Sequence, residues 1–342
     1  MTVQSATSVR ADARSPAGRP GTRIAVVLAV LALAAVSVAS VLVGARLIPP
    51  GVVLDPSGPL HAIAAARVDR TLLGLAVGGA LGLVGALMQG LTRNPLADPG
   101  ILGVNAGASF AMVVAISAFG VTDLHSYVWW AFAGAAAAMV LVHAVASVGR
   151  DGATPVKVAI AGAALTAAVS SWTSGVLLTD RQTMESFRFW QVGTIGGRAS
   201  DVLLVGLPFL AVGAVLALTS ARSLNALALG DDLARGLGRR VALDRLVIGV
   251  AVVLLAGAAT ALAGPVAFVG LIVPHGVRAV VGPDYRRVLP LSLAYGAVLV
   301  LVADVVGRVV LPPAEVQVGI MTAVVGVPVF LRLVRRGRIG AL

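Results

Sequence analysis

The chain contains no cysteine, a single lysine and few charges of either sign. Without cysteine it carries no disulfide framework, no haem attachment motif and no thiolate metal site. The one lysine, Lys157, follows Val156, where a Walker motif GxxxxGK[ST] requires glycine, so ATP cannot be held in a P-loop here. Basic residues number 26 and acidic residues 15, or 12% of 342 positions. That is about half of the roughly 25% usual in soluble proteins, too little to cover a globule. Apolar residues fill the difference: 58% of the chain is hydrophobic, and the 40 glycines raise the apolar share to about 70%, against about 45–50% in soluble domains. Lipid is therefore the expected solvent, and at about 20 residues per span ten spans use roughly 200 residues and leave short loops. One polytopic, all-α membrane domain fits this length.

A net charge of +11 raises nucleic acid as a partner, but the arginines are scattered between apolar runs and do not cluster on one polar face. Membrane topology explains them better, and no nucleic-acid partner is expected. Residues 1–22 are polar, with Arg10, Arg14 and Arg19, and read as a disordered cytoplasmic tail. The first apolar run, 24–43, exceeds the 7–15 residues of a signal-peptide core and reads as an uncleaved span. Nine more follow at 71–91, 101–119, 127–148, 156–178, 202–218, 246–262, 266–281, 288–306 and 316–334. With the amino terminus inside, 19 basic residues fall on the cytoplasmic side and 7 outside, namely Arg46, Arg67, Arg70, Arg181, Arg188, Arg198 and Arg308. That bias predicts ten spans, 23–336 as a single membrane domain, and both termini in the cytoplasm, with 337–342 a short tail.

Sliding the chain by 175 positions places Asp69, Arg70, Gly74, Ala76, Val77, Gly82, Ala86 and Leu87 on Asp244, Arg245, Gly249, Ala251, Val252, Gly257, Ala261 and Leu262. The first copy starts outside and the second inside, the pattern of an inverted repeat in transporters. Gly74, Gly78 and Gly82 share one helix face and predict close helix packing or the lining of a path. Between the second and third runs, GALMQGLTRNPLADPGILGVNAGA (85–108) must turn tightly at the inner membrane edge, because Pro95 and Pro99 each push the preceding residue out of the helix. The segment GPVAFVGLIVPHGVRAVV (264–281) predicts a short or broken span. Its His275 is an iron or proton ligand on one reading; a single histidine without a carboxylate or second histidine nearby fits a packed, hydrogen-bonded role better. In the inner loop, Asp231 and Asp232 can start a two-turn helix that Gly236 and Gly238 end, either a solvated connector or a docking element. Outside, Arg67, Arg70 and Arg308 sit at span ends near Glu315, as interface anchors or as a patch for an acidic partner.

The 85–108 turn, the 264–281 segment and VADVVGR (302–308) followed by PPAEVQVGIMTAVVGVPVFLRLV resemble the iron-siderophore and cobalamin importer permeases, the type II ABC importer (FecCD-like) family. The likeness runs from about Arg67 to Arg336. It implies ten helices per subunit in the bacterial plasma membrane, a second copy or a similar permease around one central path, and two cytoplasmic ATPase subunits. Those subunits would hold ATP and Mg, leaving no cofactor in this chain. An extracytoplasmic binding protein would deliver the cargo, a ferric siderophore by preference and cobalamin or haem as the alternatives. By the same resemblance Leu229, Gly230, Asp231, Asp232, Leu233, Ala234, Arg235, Gly236, Leu237 and Gly238 form the segment that couples to the ATPase. Arg67, Arg70 and Arg308 dock the binding protein, and Thr154, Pro155 and Val156 lie near a cytoplasmic gate. Asp69, between two of the docking arginines, departs from the apolar residue or proline expected there and partly neutralises them.

Two other classes fit less well. An ion-coupled secondary transporter needs ionisable groups near the midplane, whereas Asp98, Lys157, Asp304 and Arg332 all fall at turns or span ends. An intramembrane enzyme needs convergent catalytic groups, and His61, His125, His143 and His275 show no such spacing.

Overall fold

A computed structural model describes residues 20–54, 58, 60–121, 123–149, 154–197 and 200–335. Among them the regular structure is entirely helical: α1 (Pro20–Leu42), α2 (His61–Thr92), α3 (Val104–Phe119), α4 (Leu124–Ala146), α5 (Pro155–Thr179), α6 (Arg181–Gln191), α7 (Ser200–Thr219), α8 (Ala221–Ala228), α9 (Asp231–Gly236), α10 (Val241–Ala263), α11 (Val269–Val281), α12 (Tyr285–Val310) and α13 (Val318–Arg335), with short 3-10 turns at Pro50–Leu54 and Pro99–Leu102. Each of the ten apolar runs falls on one helix. Seven of these, α1, α2, α4, α5, α7, α10 and α12, are long and apolar enough to cross a membrane, while α3, α11 and α13 are shorter. The loops add α6, α8 and α9, of which only α9 is signalled by the sequence. Helix α1 begins at Pro20, so the last three residues of the expected tail are helical; 1–19 and 336–342 lie outside the described residues.

Burial separates centre from periphery. In the most apolar window of each helix, 83% of residues are buried in α2, 67% in α10 and 56% in α12, against 22% in α1 and 17% in α5. Helix α1 turns Ile24, Val27, Leu28 and Leu31 outward, as a lipid-facing helix does. The central contact is α2 against α12, and glycine makes it possible. A Cβ on Gly78 would lie 2.6 Å from the Gly296 carbonyl oxygen and 2.8 Å from Ala297 Cα, and one on Gly82 would collide with the Ser292 carbonyl. Further along, Gly85 faces the Gly270 backbone at the start of α11, and Gln89 Nε2 donates to the Gly270 carbonyl at 3.0 Å. Between two helices in lipid, where no hydrophobic effect draws them together, such backbone proximity supplies the attraction.

Helices α3 and α11 are short because the chain enters each after a non-α-helical stretch. Arg93 takes a left-handed conformation (φ 51°) and ends α2; the Asn94 side chain accepts from the Leu96 N–H, and Asp98 caps the 3-10 turn through the Gly100 N–H at 2.8 Å. Burial pushes the Asp98 carboxyl above its ordinary range, although that N–H pulls the other way. Gly103 (φ 71°) then opens α3 beside Leu165 and Thr166, eleven and twelve residues past Thr154 on α5. Likewise residues 264–268 are non-helical, anchored by Thr194 N–H on the Ala263 carbonyl at 2.7 Å, and α11 begins opposite Gly85, well along α2. Thirteen residues of helix reach only about 20 Å, less than the ~30 Å of a hydrocarbon core. The expected broken span is thus a non-helical entry followed by a short helix.

Candidate functional site

Two polar assemblies occupy opposite ends of α2. At the Arg93 end, α9 begins after Gly230 (φ 109°) and ends before Gly238 (φ 77°), two positions that require left-handed backbone. Six residues cannot bury a core, and α9 buries only Ala234. Leu233 within it and Leu229 and Leu237 on either side of it are instead 57–64% exposed. Three large apolar side chains exposed around one short helix form a knob of apolar surface.

The knob is tied to the bundle by charge. Asp231 receives Arg93 Nη2 at 2.6 Å and Arg245 Nη2 at 2.9 Å, joining α9 to the end of α2 and the first turns of α10. Arg93 Nε also donates to the Leu227 carbonyl at 2.8 Å, satisfying the end of α8. Asp232, itself fully exposed, pairs with Arg235, three residues on. Helix α8 is fastened to α12 by Asn225, whose amide donates to Asp284 at 2.7 Å and accepts the Tyr285 N–H at 3.0 Å. Burial opposes ionisation of Asp284, but Asn225, the Arg286 N–H and the charges of Arg286 and Arg287 prevail and hold it below the usual carboxylate range. Arg239 pairs with Asp244 at 2.6 Å, and both contact Ser223.

At the other end, the three expected docking arginines are not alike. Arg308 is 2% exposed; its Nε lies 3.1 Å from Asp304, itself 1% exposed, and its Nη1 donates to the Ser40 carbonyl at 2.9 Å. In this structure Arg308 is a core residue joining α12 to α1 and cannot present its guanidinium to a partner, because a charge buried without its counter-ion costs several kcal/mol. Arg67 donates to the carbonyls of Val41, Leu42 and Arg46 and so closes the end of α1. Arg70 places Nε and Nη2 on Asp304, at 3.0 and 2.7 Å, and Nη1 on Glu315 at 2.7 Å. Asp304 therefore lies between two arginines from different helices. The i, i+4 spacing of Asp304 and Arg308 was the one sequence signal of that pairing.

The remaining candidates are separate from both assemblies. Thr154 caps α5, its hydroxyl accepting from the Lys157 N–H at 3.3 Å; Pro155 stands in the first turn, and Val156 is exposed. His275 is half-buried on α11, and among the described residues no three His, Asp or Glu side chains gather as a metal site. The buried charges among the described residues are Arg278, Asp304 and Arg308, all within the last two turns of their helices. No midplane ion site is formed by them.

A many-helix bundle with apolar periphery, glycine-packed centre and an exposed apolar knob fits the class of polytopic membrane permeases. The FecCD transport family matches residues 23–336, and the chain belongs to it. Ferric enterobactin transport system permease protein FepD of Escherichia coli is 46% identical over 304 residues, 87% of this chain and 90% of FepD. Fe(3+)-citrate import system permease protein YfmD of Bacillus subtilis is 43% identical, over 84% of this chain and 85% of YfmD. Among solved structures, one described as an inward-facing conformation of a metal-chelate type ABC transporter matches with a TM-score of 0.80 and 28% identity, covering 92% of this chain and 99% of that one. This is a family of permease subunits of ABC importers, in which ATP hydrolysis belongs to a separate subunit.

Proposed function

We propose that this permease imports ferric siderophores into the cytoplasm by alternating access. The similarity to FepD and YfmD supports the cargo class. A haemin permease of Yersinia pestis and a cobalamin permease of Halobacterium salinarum are also similar, at 37% and 39% identity, and make haem and cobalamin the second reading. The ten apolar helices cross the membrane as a type II ABC importer permease, with α2 and α10 as counterparts in an inverted repeat, and both termini lie in the cytoplasm, as the distribution of arginines requires. Two such subunits, or this one and a similar permease, enclose the path. Two ATPase subunits bind ATP and Mg below it, and an extracytoplasmic binding protein docks above through Arg67 and Arg70. Thr154, Pro155 and Val156 at the start of α5 stand beside the cytoplasmic gate.

The observation that carries the mechanism is the knob of Leu229, Leu233 and Leu237 fastened through Asp231 to α2 and α10. An ATPase groove that grips these leucines and closes on ATP displaces α9; Arg93 and Arg245 pass the displacement to α2 and α10, and Asn225 passes it to α12. Nothing covalent happens in this chain. ATP and the binding protein shift the equilibrium only by preferring different conformations. Uptake of iron-55 as a panel of ferric siderophores, beside labelled haem and cobalamin, tests the reading in cells with and without the permease. Loss of one siderophore is expected; loss of haem or cobalamin alone substitutes that cargo, and no loss with all subunits present overturns the proposal. Leu233→Glu should abolish uptake while leaving the folded protein in the membrane.

A further inference from the structure

We propose that Glu315 occupies, from within the chain, a carboxylate-binding subsite on the outer face centred on Arg70, and that an acidic side chain of the binding protein displaces it on docking. The inference rests on the docking reading above. Arg70 offers a planar fork of five N–H donors. One side of that fork, Nε and Nη2, is fixed by Asp304, which is buried and has a second arginine to hold it in place. The other side, Nη1, meets Glu315 at 2.7 Å, and here exposure differs: Arg70 is 14% exposed and Glu315 is 44% exposed. Glu315 also stands in a run, 311–315, whose residues are all exposed, so it can leave without opening the core. Arg308 and Arg67 are held by Asp304 and by backbone carbonyls. The Nη1 edge of Arg70 is thus held by an exposed side chain, Glu315, which a partner carboxylate can replace.

Exchange of one carboxylate for another preserves the charge balance. Arg67, Arg70 and Arg308 face Asp304 and Glu315, and a partner carboxylate in place of Glu315 leaves the same two negative charges. An empty edge would leave a largely buried guanidinium short of an acceptor. Glu315 prevents that in the undocked protein, and the cost is weaker docking, because every partner must first remove it. A neutral or basic surface has nothing to offer in exchange, so the same residue makes docking selective for an acidic one.

The test compares wild-type permease and Glu315→Gln, each assembled with its ATPase subunits in nanodiscs, for affinity toward the binding protein of the same transport system. A second form of that binding protein has its surface Asp and Glu changed to amides. Glu315→Gln should bind the native binding protein about two- to fivefold tighter, the range of a partly exposed ion pair, and should bind the neutralised form no better than wild type does. Equal tightening for both forms would mean a general field effect and overturn the subsite, as would unchanged or weaker binding of the native form. If wild-type permease binds native and neutralised forms alike, the docking reading itself fails, a result distinct from failure of the exchange.

Discussion

The two ends of α2 carry the same constellation in different surroundings. At each, one aspartate lies between two arginines: Asp304 between Arg70 and Arg308, and Asp231 between Arg93 and Arg245. The correspondence is deeper than composition, because Arg70 and Arg245 are the residues that the 175-position shift superposes. What differs is water. The first cluster has Asp304 and Arg308 at 1–2% exposure, whereas the second lies at 26–43%. Identical charges therefore differ in strength: desolvated, they lock helices together; half-solvated, they hold a small helix only weakly.

Breaking the two clusters separately exposes that difference. The largest effect is expected from Asp304→Ala, which leaves Arg70 and Arg308 without their shared counter-ion and should cost about 3–5 kcal/mol, seen as loss of membrane-inserted, monodisperse protein. Arg308→Met alone should be less harmful than Asp304→Ala, since it removes a buried charge as well as a partner. Next comes the beam between the clusters: Gly82→Ala drives a methyl into the Ser292 carbonyl and should destabilise by about 1–3 kcal/mol, read as a fall in thermal midpoint in detergent. Asp231→Asn should cost less than about 1 kcal/mol of stability, yet reduce uptake severely by freeing α9 from α2 and α10. Retained uptake with Asp231→Asn would remove the coupling role. The smallest effect concerns acid. Asp284 titrates below its unfolded value of about 3.9, so its grip on Asn225 is complete above that pH and disappears as pH falls through the lower, folded value. Asp284→Asn should lower thermal stability slightly at neutral pH, where the ionised carboxylate contributes, and remove its share of the acid loss that sets in below about pH 4.

Much of this architecture was legible in hydropathy, because a chain in lipid must satisfy every backbone group within a helix and must cover that helix with apolar side chains. Each apolar run became one helix for that reason, and Gly74, Gly78 and Gly82 signalled a close helix neighbour correctly. Helix α6 escaped notice since its apolar face, Phe187 and Trp190 included, is interrupted by polar residues on an 11-residue segment. Helix α8 reads as loop because eight residues give too short a window for periodicity. The site was half legible. The short helix after Gly230 and its acidic start were visible, but the three exposed leucines around it were hidden among ordinary leucines until exposure singled them out. Arg308 misled because an arginine at a span end ordinarily reaches for the interface, and only its tertiary neighbours, Ser40 and Asp304, draw it inward. The left-handed Phe268 at the start of α11 had no signal either, since aromatic residues rarely adopt that conformation.

The glycine seam between α2 and α12 also limits how the permease can move. Where Gly78 meets Gly296 and Gly82 meets Ser292, there is no layer of side chains to slide on. A shift of one residue along the seam would set Val77 or Leu83 against the opposing backbone. The pair is then a single rigid rod, sewn at its middle and pinned by Arg70 and Asp304 at one end, and changes of access must turn on looser joints around it, such as those of α1, α5 and α7 with their largely exposed surfaces. Probes placed at the two ends of the rod should keep their separation throughout the transport cycle, while a probe on α5 changes its distance to either.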